Sequence, residues 1–274
     1  MKILLTGATG LIGRELGKVL ALRGDSLVCL VRNASPEGPG LPFPATCFEW
    51  DHTREVPAEA LAGVDAVVHL AGEPIADGRW TPERKARIVD SRILGTRRLV
   101  EAVRAHGDTV GAFVHGSAIG YWGDRGDEVL TADSMKGGGF LSDLVADWEA
   151  ELAPLLDTHQ RPRRVPIVRT GVVLARQSGA LAKMLPIFRA GVGGRIGAGS
   201  HWMSWIHLDD IVGLFMHALD TPADGILEGV APGPVTNRDF TRELARALDV
   251  FENAPAPELA IRLLYGEMGT VVLE

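Results

Sequence analysis

A short apolar run that meets a glycine turn constrains this chain more than any other stretch. Lys2–Thr6 (KILLT) is long enough for a buried parallel strand and too short for a helix. It runs into Gly7-Ala8-Thr9-Gly10-Leu11-Ile12-Gly13. Ile12, Leu16, Val19 and Leu20 then recur at helical spacing, and Gly24 is placed to end that helix. A second apolar run, Ser26–Val31, follows. Strand, glycine turn, helix and strand in this order make one βαβ unit with a right-handed crossover. Gly7 turns the backbone sharply off the strand, and Gly10 clears the approach of a pyrophosphate to N–H groups at a positive helix end. Gly13 lets the helix lie close on the strand. The plainer alternative is a glycine turn in a nucleotide-free α/β protein, but the full order of elements favours a dinucleotide site.

The end of the second strand bears on which dinucleotide. An NAD site places Asp or Glu there for the ribose 2′-OH, whereas a 2′-phosphate needs a cation. This chain has Arg32-Asn33 at that point, and a planar guanidinium suits a phosphate. NADP is therefore the expected cofactor, against the alternative that Arg32 is a solvated surface arginine.

The rest of the chain keeps alternating. Residues 33–44 carry Pro36, Gly38, Pro39, Gly40, Pro42 and Pro44 and read as a loop. Ala45–Trp50 is a third strand with Asp51 at its end, either accepting from an adenine amino group or capping the next segment. Asp65–Leu70 is a fourth strand running into Ala71-Gly72, residues small enough for a cofactor to pass close by. Residues 73–80 form a loop over the site, and Thr81-Pro82-Glu83 starts a long helix with a stripe at Val89, Ile93, Thr96, Val100 and Val103. Ala112–His115 is a fifth strand that opens into Gly116–Gly123. Phe140, Leu144 and Trp148 share one helix face, and Pro166–Val173 is a sixth strand. Residues 190–206 are a glycine-rich loop or hairpin outside this alternation. A helix capped by His207-Leu208-Asp209-Asp210, a strand over Ile226–Val230, a helix over Asn237–Leu248, a linker at 254–257 and a final helix to Gly266 complete the chain. The alternation predicts an α/β fold, a doubly wound parallel sheet with helices on both faces.

At 274 residues the chain can bury a large core. A net charge of −7 and the lack of a long basic run argue against nucleic acid as a partner. The two cysteines, Cys29 and Cys47, fall in neighbouring apolar runs and read as free thiols in a reducing compartment; without a histidine cluster they make no metal site. A strand begins at the N-terminus and no apolar stretch reaches about 20 residues, so a cytoplasmic protein without membrane contact is expected. It is expected as a monomer or homodimer with a small-molecule substrate.

With these residues in view, the chain resembles the extended short-chain dehydrogenases/reductases. Within them it resembles the atypical, SDR39U1-like subgroup of the NAD-dependent epimerase/dehydratase superfamily. The resemblance is carried by Gly7–Gly13, His69–Ile75, Arg79-Trp80-Thr81, Ser91–Thr96, Gly116–Gly123, Trp148-Glu149, Arg169–Leu174 and Trp202–Asp210, from one end of the chain to the other. It implies a Rossmann fold with an NADP-binding domain over residues 1–172, to which 207–232 return. It also implies a small C-terminal substrate lobe over 173–206 and 233–274. Members of the subgroup continue past the point matching Glu274, so the lobe is expected to be shortened. By the same resemblance Gly7, Thr9, Gly10, Leu11, Ile12 and Gly13 would hold the pyrophosphate, Arg32 the 2′-phosphate, and Asp51 would lie near adenine. Leu70, Ala71, Gly72 and Ser91 would line the ribose and nicotinamide passage, with Thr170, Gly171 and Val172 approaching the nicotinamide. Ser117 matches the catalytic serine.

The expected chemistry is incomplete. Complete relatives pair that serine with a Tyr acid/base and a Lys four residues on, both facing the nicotinamide from one helix. Here that place holds Phe140 and Leu144, and the only tyrosines are Tyr121 and Tyr265. Losing a positioned general acid costs about 10²–10⁴ in rate, so another group is needed for turnover. Tyr121, close to Ser117, offers a phenol or simply packs. Glu73 offers a carboxylate or is a loop acid, and Lys85 reads as a surface charge. His201 remains a candidate, while His207 reads as a cap or a core histidine. Trp80, Trp122 and Trp202-Met203-Ser204-Trp205 suggest a flat, aromatic, weakly cationic pocket. Trp148 and Trp205 are read as core. Two functions are consistent with this: an NADP-dependent oxidoreductase or epimerase acting on a small hydroxy or carbonyl compound, or an NADP(H)-binding sensor or interaction protein with little turnover.

Overall fold

The computed structural model describes residues 1–33, 40–156, 162–253 and 255–270, with side chains left out at 260 and 264. Part of the loop read at 33–44 and the first residue of the linker at 254–257 thus lie outside the described residues.

The opening unit forms as expected. Strand β1 (Lys2–Thr6), helix α1 (Leu11–Arg23) and strand β2 (Ser26–Val31) follow one another, and β1 lies parallel to β2. Gly24 ends α1 at φ +92°, a left-handed conformation open to glycine. The chain continues through β3 (Thr46–Glu49), β4 (Ala66–His69), α2 (Pro82–His106), β5 (Ala112–Ala118), α3 (Phe140–Ala150) and β6 (Ile167–Thr170). Next come β7 (Val172–Leu174), α4 (Gly179–Arg189), β8 (Trp202–Met203), β9 (Trp205–His207) and α5 (Leu208–Asp220). The last elements are β10 (Ile226–Gly229), β11 (Val235–Thr236), α6 (Asn237–Ala247) and α7 (Glu258–Tyr265).

Seven strands form one parallel sheet in the order β10-β6-β5-β4-β1-β2-β3. The order reverses direction between β1 and β4, which opens a crevice beyond their carboxyl ends where ligands of doubly wound sheets bind. Alternate residues of β1 feed two cores. Ile3 and Leu5 face a layer with Leu16, Leu20, Ile211 and Phe215, while Leu4 faces Val67, Leu99, Phe113 and Leu152 on the other side. Both faces are covered by helices, as a parallel sheet requires.

Several boundaries differ from the expectation. Val19, read into the buried stripe of α1, is 36% exposed, because the sheet side of that helix carries Gly13, Leu16, Gly17 and Leu20. The fifth strand extends to Ala118, so Ser117 lies on β5 and not in a turn. The run 166–173 breaks at Gly171: β6 stays in the main sheet, whereas β7 pairs with β9 in a separate two-stranded sheet. The break is steric, since a Cβ at Gly171 would lie 2.4 Å from the Ser204 carbonyl oxygen. Helix α4, with Pro186 inside it and Leu185 and Phe188 buried, is not apparent in the sequence pattern. β8 pairs antiparallel with β11, so part of the glycine-rich stretch is sheet.

Candidate cofactor and substrate site

The turn after β1 is built to hold an anion. Gly7 has φ +70°, and a Cβ there would lie 2.6 Å from the Leu70 carbonyl group. A Cβ at Gly13 would lie 2.2 Å from Gly7 O, so α1 can sit this close to the turn only with glycine there. Gly10 is the N-cap of α1, makes no side-chain cap, and is followed by no acidic residue in the first turn. Uncapped N–H groups at a positive helix end, with backbone exposed by glycine, fit a pyrophosphate. Thr9, Leu11 and Ile12 belong to the same turn.

Beneath the turn runs a buried polar chain. Thr6 Oγ1 accepts from the N–H groups of Leu70 and Ala71, both at 3.1 Å. Its own proton therefore goes to His69 Nδ1, 2.7 Å away. The other ring nitrogen carries the histidine proton and donates to Thr96 Oγ1 at 2.9 Å, to which Trp148 Nε1 also donates at 2.7 Å. This chain fixes Leu70, Ala71 and Gly72 at the crevice, and burial pushes the His69 pKa down to about 3, so the ring is neutral.

Around the crevice, Arg32 is 80% exposed and its guanidinium lies 3.8 Å from the Glu73 carboxylate. Glu73 is held by Arg84 at 3.1 Å, which makes it a paired acid. Asp51 accepts from the N–H and hydroxyl of Thr53, at 2.8 and 2.5 Å, and these bonds hold its carboxyl below the usual range. It thus caps a turn; no α-helix follows it before residue 82. Ser91 accepts from Glu73 N–H at 3.0 Å and donates to Ile88 O at 3.1 Å, pinning the loop beyond Gly72. Lys85 pairs with Glu267 and lies over the Phe140 ring. His207 caps α5 by accepting from Asp209 N–H at 3.2 Å, and His201 is half-buried.

Ser117 sits in a constellation that sequence reasoning missed. On β5 it stands beside Arg169 of β6 and donates to Glu149 Oε1 at 2.6 Å. Arg169 clamps both oxygens of Glu149, at 3.0 and 2.8 Å. The Tyr121 ring covers the guanidinium at 3.4 Å, with Trp122 at 4.9 Å. Glu149 and Arg169 were visible only as parts of longer strings. The available signal was a charged residue on an otherwise apolar strand and another on a helix beside a core tryptophan, since buried charges occur in pairs.

Next to this constellation a cavity of about 560 Å³ opens between α2, α3 and the end of β6. Thr170, Gly171 and Val172 line it on one side, with Trp80, Phe140, Leu144 and Trp148 on another. Phe140 and Leu144 thus stand in its wall where an acid/base pair was expected. Trp148, read as core, is buried and reaches this wall, whereas Trp202 is 43% exposed and donates to Asp127 at 2.7 Å. Of the residues expected to make the pocket aromatic, Trp80 lines it, while Trp122 and Trp202–Trp205 do not. Its other aromatic walls are Phe140 and Trp148, and among the described residues lining it the one cation is Arg92, which the sequence reading left unassigned. Among the described residues there is no group of three metal-ligating side chains, and no helix is long and apolar enough to cross a membrane.

Comparison with known proteins finds relatives over the whole chain. A family model described as the NAD dependent epimerase/dehydratase family matches residues 3–136. An epimerase family protein SDR39U1 homolog, chloroplastic, of Arabidopsis thaliana is 36% identical over 286 residues, covering 100% of this chain and 78% of that protein. The epimerase family protein Mb2239 of Mycobacterium bovis is 36% identical over 266 residues, covering 97% of this chain and 85% of its own length. The crystal structure of human epimerase family protein SDR39U1 (isoform 2) with NADPH superimposes with a TM-score of 0.87 at 31% identity, covering 100% of this chain and 88% of that one.

Proposed function

The chain belongs to the SDR39U1-like branch of the NAD dependent epimerase/dehydratase family, and on that premise we propose that it is an NADP(H)-dependent oxidoreductase or epimerase-like protein. It acts on a small hydroxy or carbonyl compound without the usual Tyr and Lys pair. The observation that carries this reading is the uncapped, carboxylate-free start of α1 under a glycine turn, beside a cavity of about 560 Å³. The NADPH in the human relative's structure supports it.

In this reading the first turn of α1 binds the pyrophosphate, and Arg32 swings from Glu73 to the 2′-phosphate. Asp51 lies on the adenine side. Leu70, Ala71, Gly72 and Ser91 shape the passage, and Thr170, Gly171 and Val172 form the wall against the nicotinamide. When bound, the cofactor would take up a hydride from a hydroxyl-bearing carbon as NADP+, or deliver one to a carbonyl carbon as NADPH. Ser117 commits its proton to Glu149, which leaves its lone pairs to accept from a substrate hydroxyl. Tyr121 is the nearby phenol, with its ring face occupied by Arg169. Residues 173–206 and 233–274 serve as the substrate lobe, and the protein works as a monomer or homodimer in the cytoplasm.

A specific observation favours a second reading. Phe140 and Leu144 put hydrocarbon where the acid/base pair was expected, which suits a sensor that binds NADP(H) without turnover. NADPH oxidation across aldehydes, ketones and quinones separates the two, after calorimetry has compared NADPH with NADH. The enzyme reading expects turnover that Ser117→Ala lowers, through lost positioning of the substrate, and Tyr121→Phe changes little. NADPH binding with no turnover on any compound would select the sensor. Preference for NADH would overturn the cofactor assignment itself.

A further inference from the structure

Arg92 is a cation without a counter-ion inside an apolar cavity. It projects from α2 into the space walled by Trp80, Phe140, Leu144, Val145 and Trp148. Its Nη1 donates to two carbonyl oxygens, of Glu73 at 2.9 Å and of Ile88 at 3.3 Å, and its guanidinium lies 5.2 Å from the Trp148 ring. Among the described residues no carboxylate lies within 4.0 Å of it. Glu73 is near enough to attract it, but the Glu73 carboxylate is engaged by Arg84. The two other acids at the cavity are placed elsewhere: Glu267 pairs with Lys85, and Asp124 accepts from Gly126 N–H at 2.9 Å. Burial pushes the Arg92 pKa down to about 10, which still leaves it charged at neutral pH. Carbonyl oxygens and a ring face satisfy part of a guanidinium but do not neutralise it. Arg92 is half-buried, and a charge held largely out of water is costly unless paired. Arg92 Nη2 and Nε donate to no described residue and are not among the buried atoms that lack partners, so they remain open for the fork that a carboxylate accepts.

We propose that this cavity takes a small monocarboxylate with an aromatic or branched apolar body, the carboxylate seated on Arg92 and the body against Trp80, Phe140 and Trp148. The proposal rests on the reading of the cavity as the substrate site and narrows its substrate class to hydroxy or carbonyl acids. The charge selects the acid, and the apolar wall selects a body without further charge. Arg92 also packs near the turn at Gly72, since a Cβ there would lie 3.2 Å from its guanidinium carbon. The alternative ligand for Arg92 is therefore the cofactor.

Calorimetric titration of the NADPH-saturated protein with phenylacetate and, separately, phenylacetamide tests this without any substitution. The acid is expected to bind about 10- to 100-fold more tightly than its neutral isostere, as one charge-assisted contact implies. Arg92→Met should remove that preference while leaving NADPH affinity within about threefold, and Arg92→Lys should restore part of it. Equal binding of acid and amide to the wild-type protein would overturn the proposal. So would a loss of NADPH affinity in Arg92→Met as large as the loss for phenylacetate, since that assigns the guanidinium to the cofactor. The same pair of titrations without NADPH keeps the outcomes distinguishable. Acid preference in a protein that takes up no NADPH would sink the cofactor reading alone.

Discussion

His69 and His115 stand side by side on β4 and β5, their ring centroids 5.5 Å apart, both fully buried. They meet burial differently. His69 has a partner on each nitrogen, whereas neither nitrogen of His115 has one among the described residues, its ring being edge-on to Trp148 at 4.7 Å. Burial depresses both pKa values, that of His69 to about 3 and that of His115 well below its ordinary value. The unfolded chain therefore takes up protons below about pH 6.5 that the folded chain refuses, and stability falls as pH drops. His69 should contribute a slope of about 1.4 kcal/mol per pH unit between roughly pH 6 and 4, and His115 a slope of the same sign. His115→Phe should reduce the slope and gain about 1 kcal/mol at pH 7, because it removes an unpartnered polar group while keeping the ring edge. Urea unfolding at three pH values would measure both effects; an unchanged slope would contradict the assignment. At this scale the glycines were legible because their work is steric and local. Glu149 and Arg169 were not, because a buried charge is defined by a partner from another element, and Arg92 was not, because the cavity it lines is assembled from distant stretches of the chain.

Three elements are tied by one carboxylate: Glu149 of α3 bonds Ser117 of β5 and clamps Arg169 of β6. Glu149→Ala would strand a guanidinium that is 3% exposed and should cost about 3–5 kcal/mol in chemical denaturation. Glu149→Gln retains an oxygen for Ser117 and should cost less. A loss below 1 kcal/mol for the alanine variant would show that water reaches Arg169. Helices with a clear cap or stripe were readable in the sequence, as at α2, where Thr81 accepts from Arg84 N–H at 3.2 Å and Pro82 opens the first turn. Helix α4 was not, since Gly179 at its start and Pro186 inside it punctuate the pattern. The continuous run over 166–173 hid a change of sheet, because the backbone approach at Gly171 depends on Ser204, far along the chain.

Across the whole molecule, the parallel sheet was legible because its strands are continuous apolar runs separated by helical stripes. The two small sheets were not, since strands of two or three residues carry no period. The cofactor crevice lies at the reversal of strand order and draws on β1, β2 and β4, so its occupancy belongs to the folded state alone. NADPH at a hundred times its dissociation constant should add about 2.7 kcal/mol and raise the melting temperature by roughly 5–10 °C. NADH should raise it less, and Arg32→Ala should bring the two shifts together. Equal shifts with Arg32 intact would contradict the role proposed for it at the 2′-phosphate.

The indole of Trp148 forms one end of the polar chain that begins at Thr6, and its ring also faces Arg92 and the cavity. A single chromophore is thereby wired to both compartments. Its emission should register a guest in either one, giving the protein a built-in optical gauge that needs no label, with Trp148→Phe as the blank.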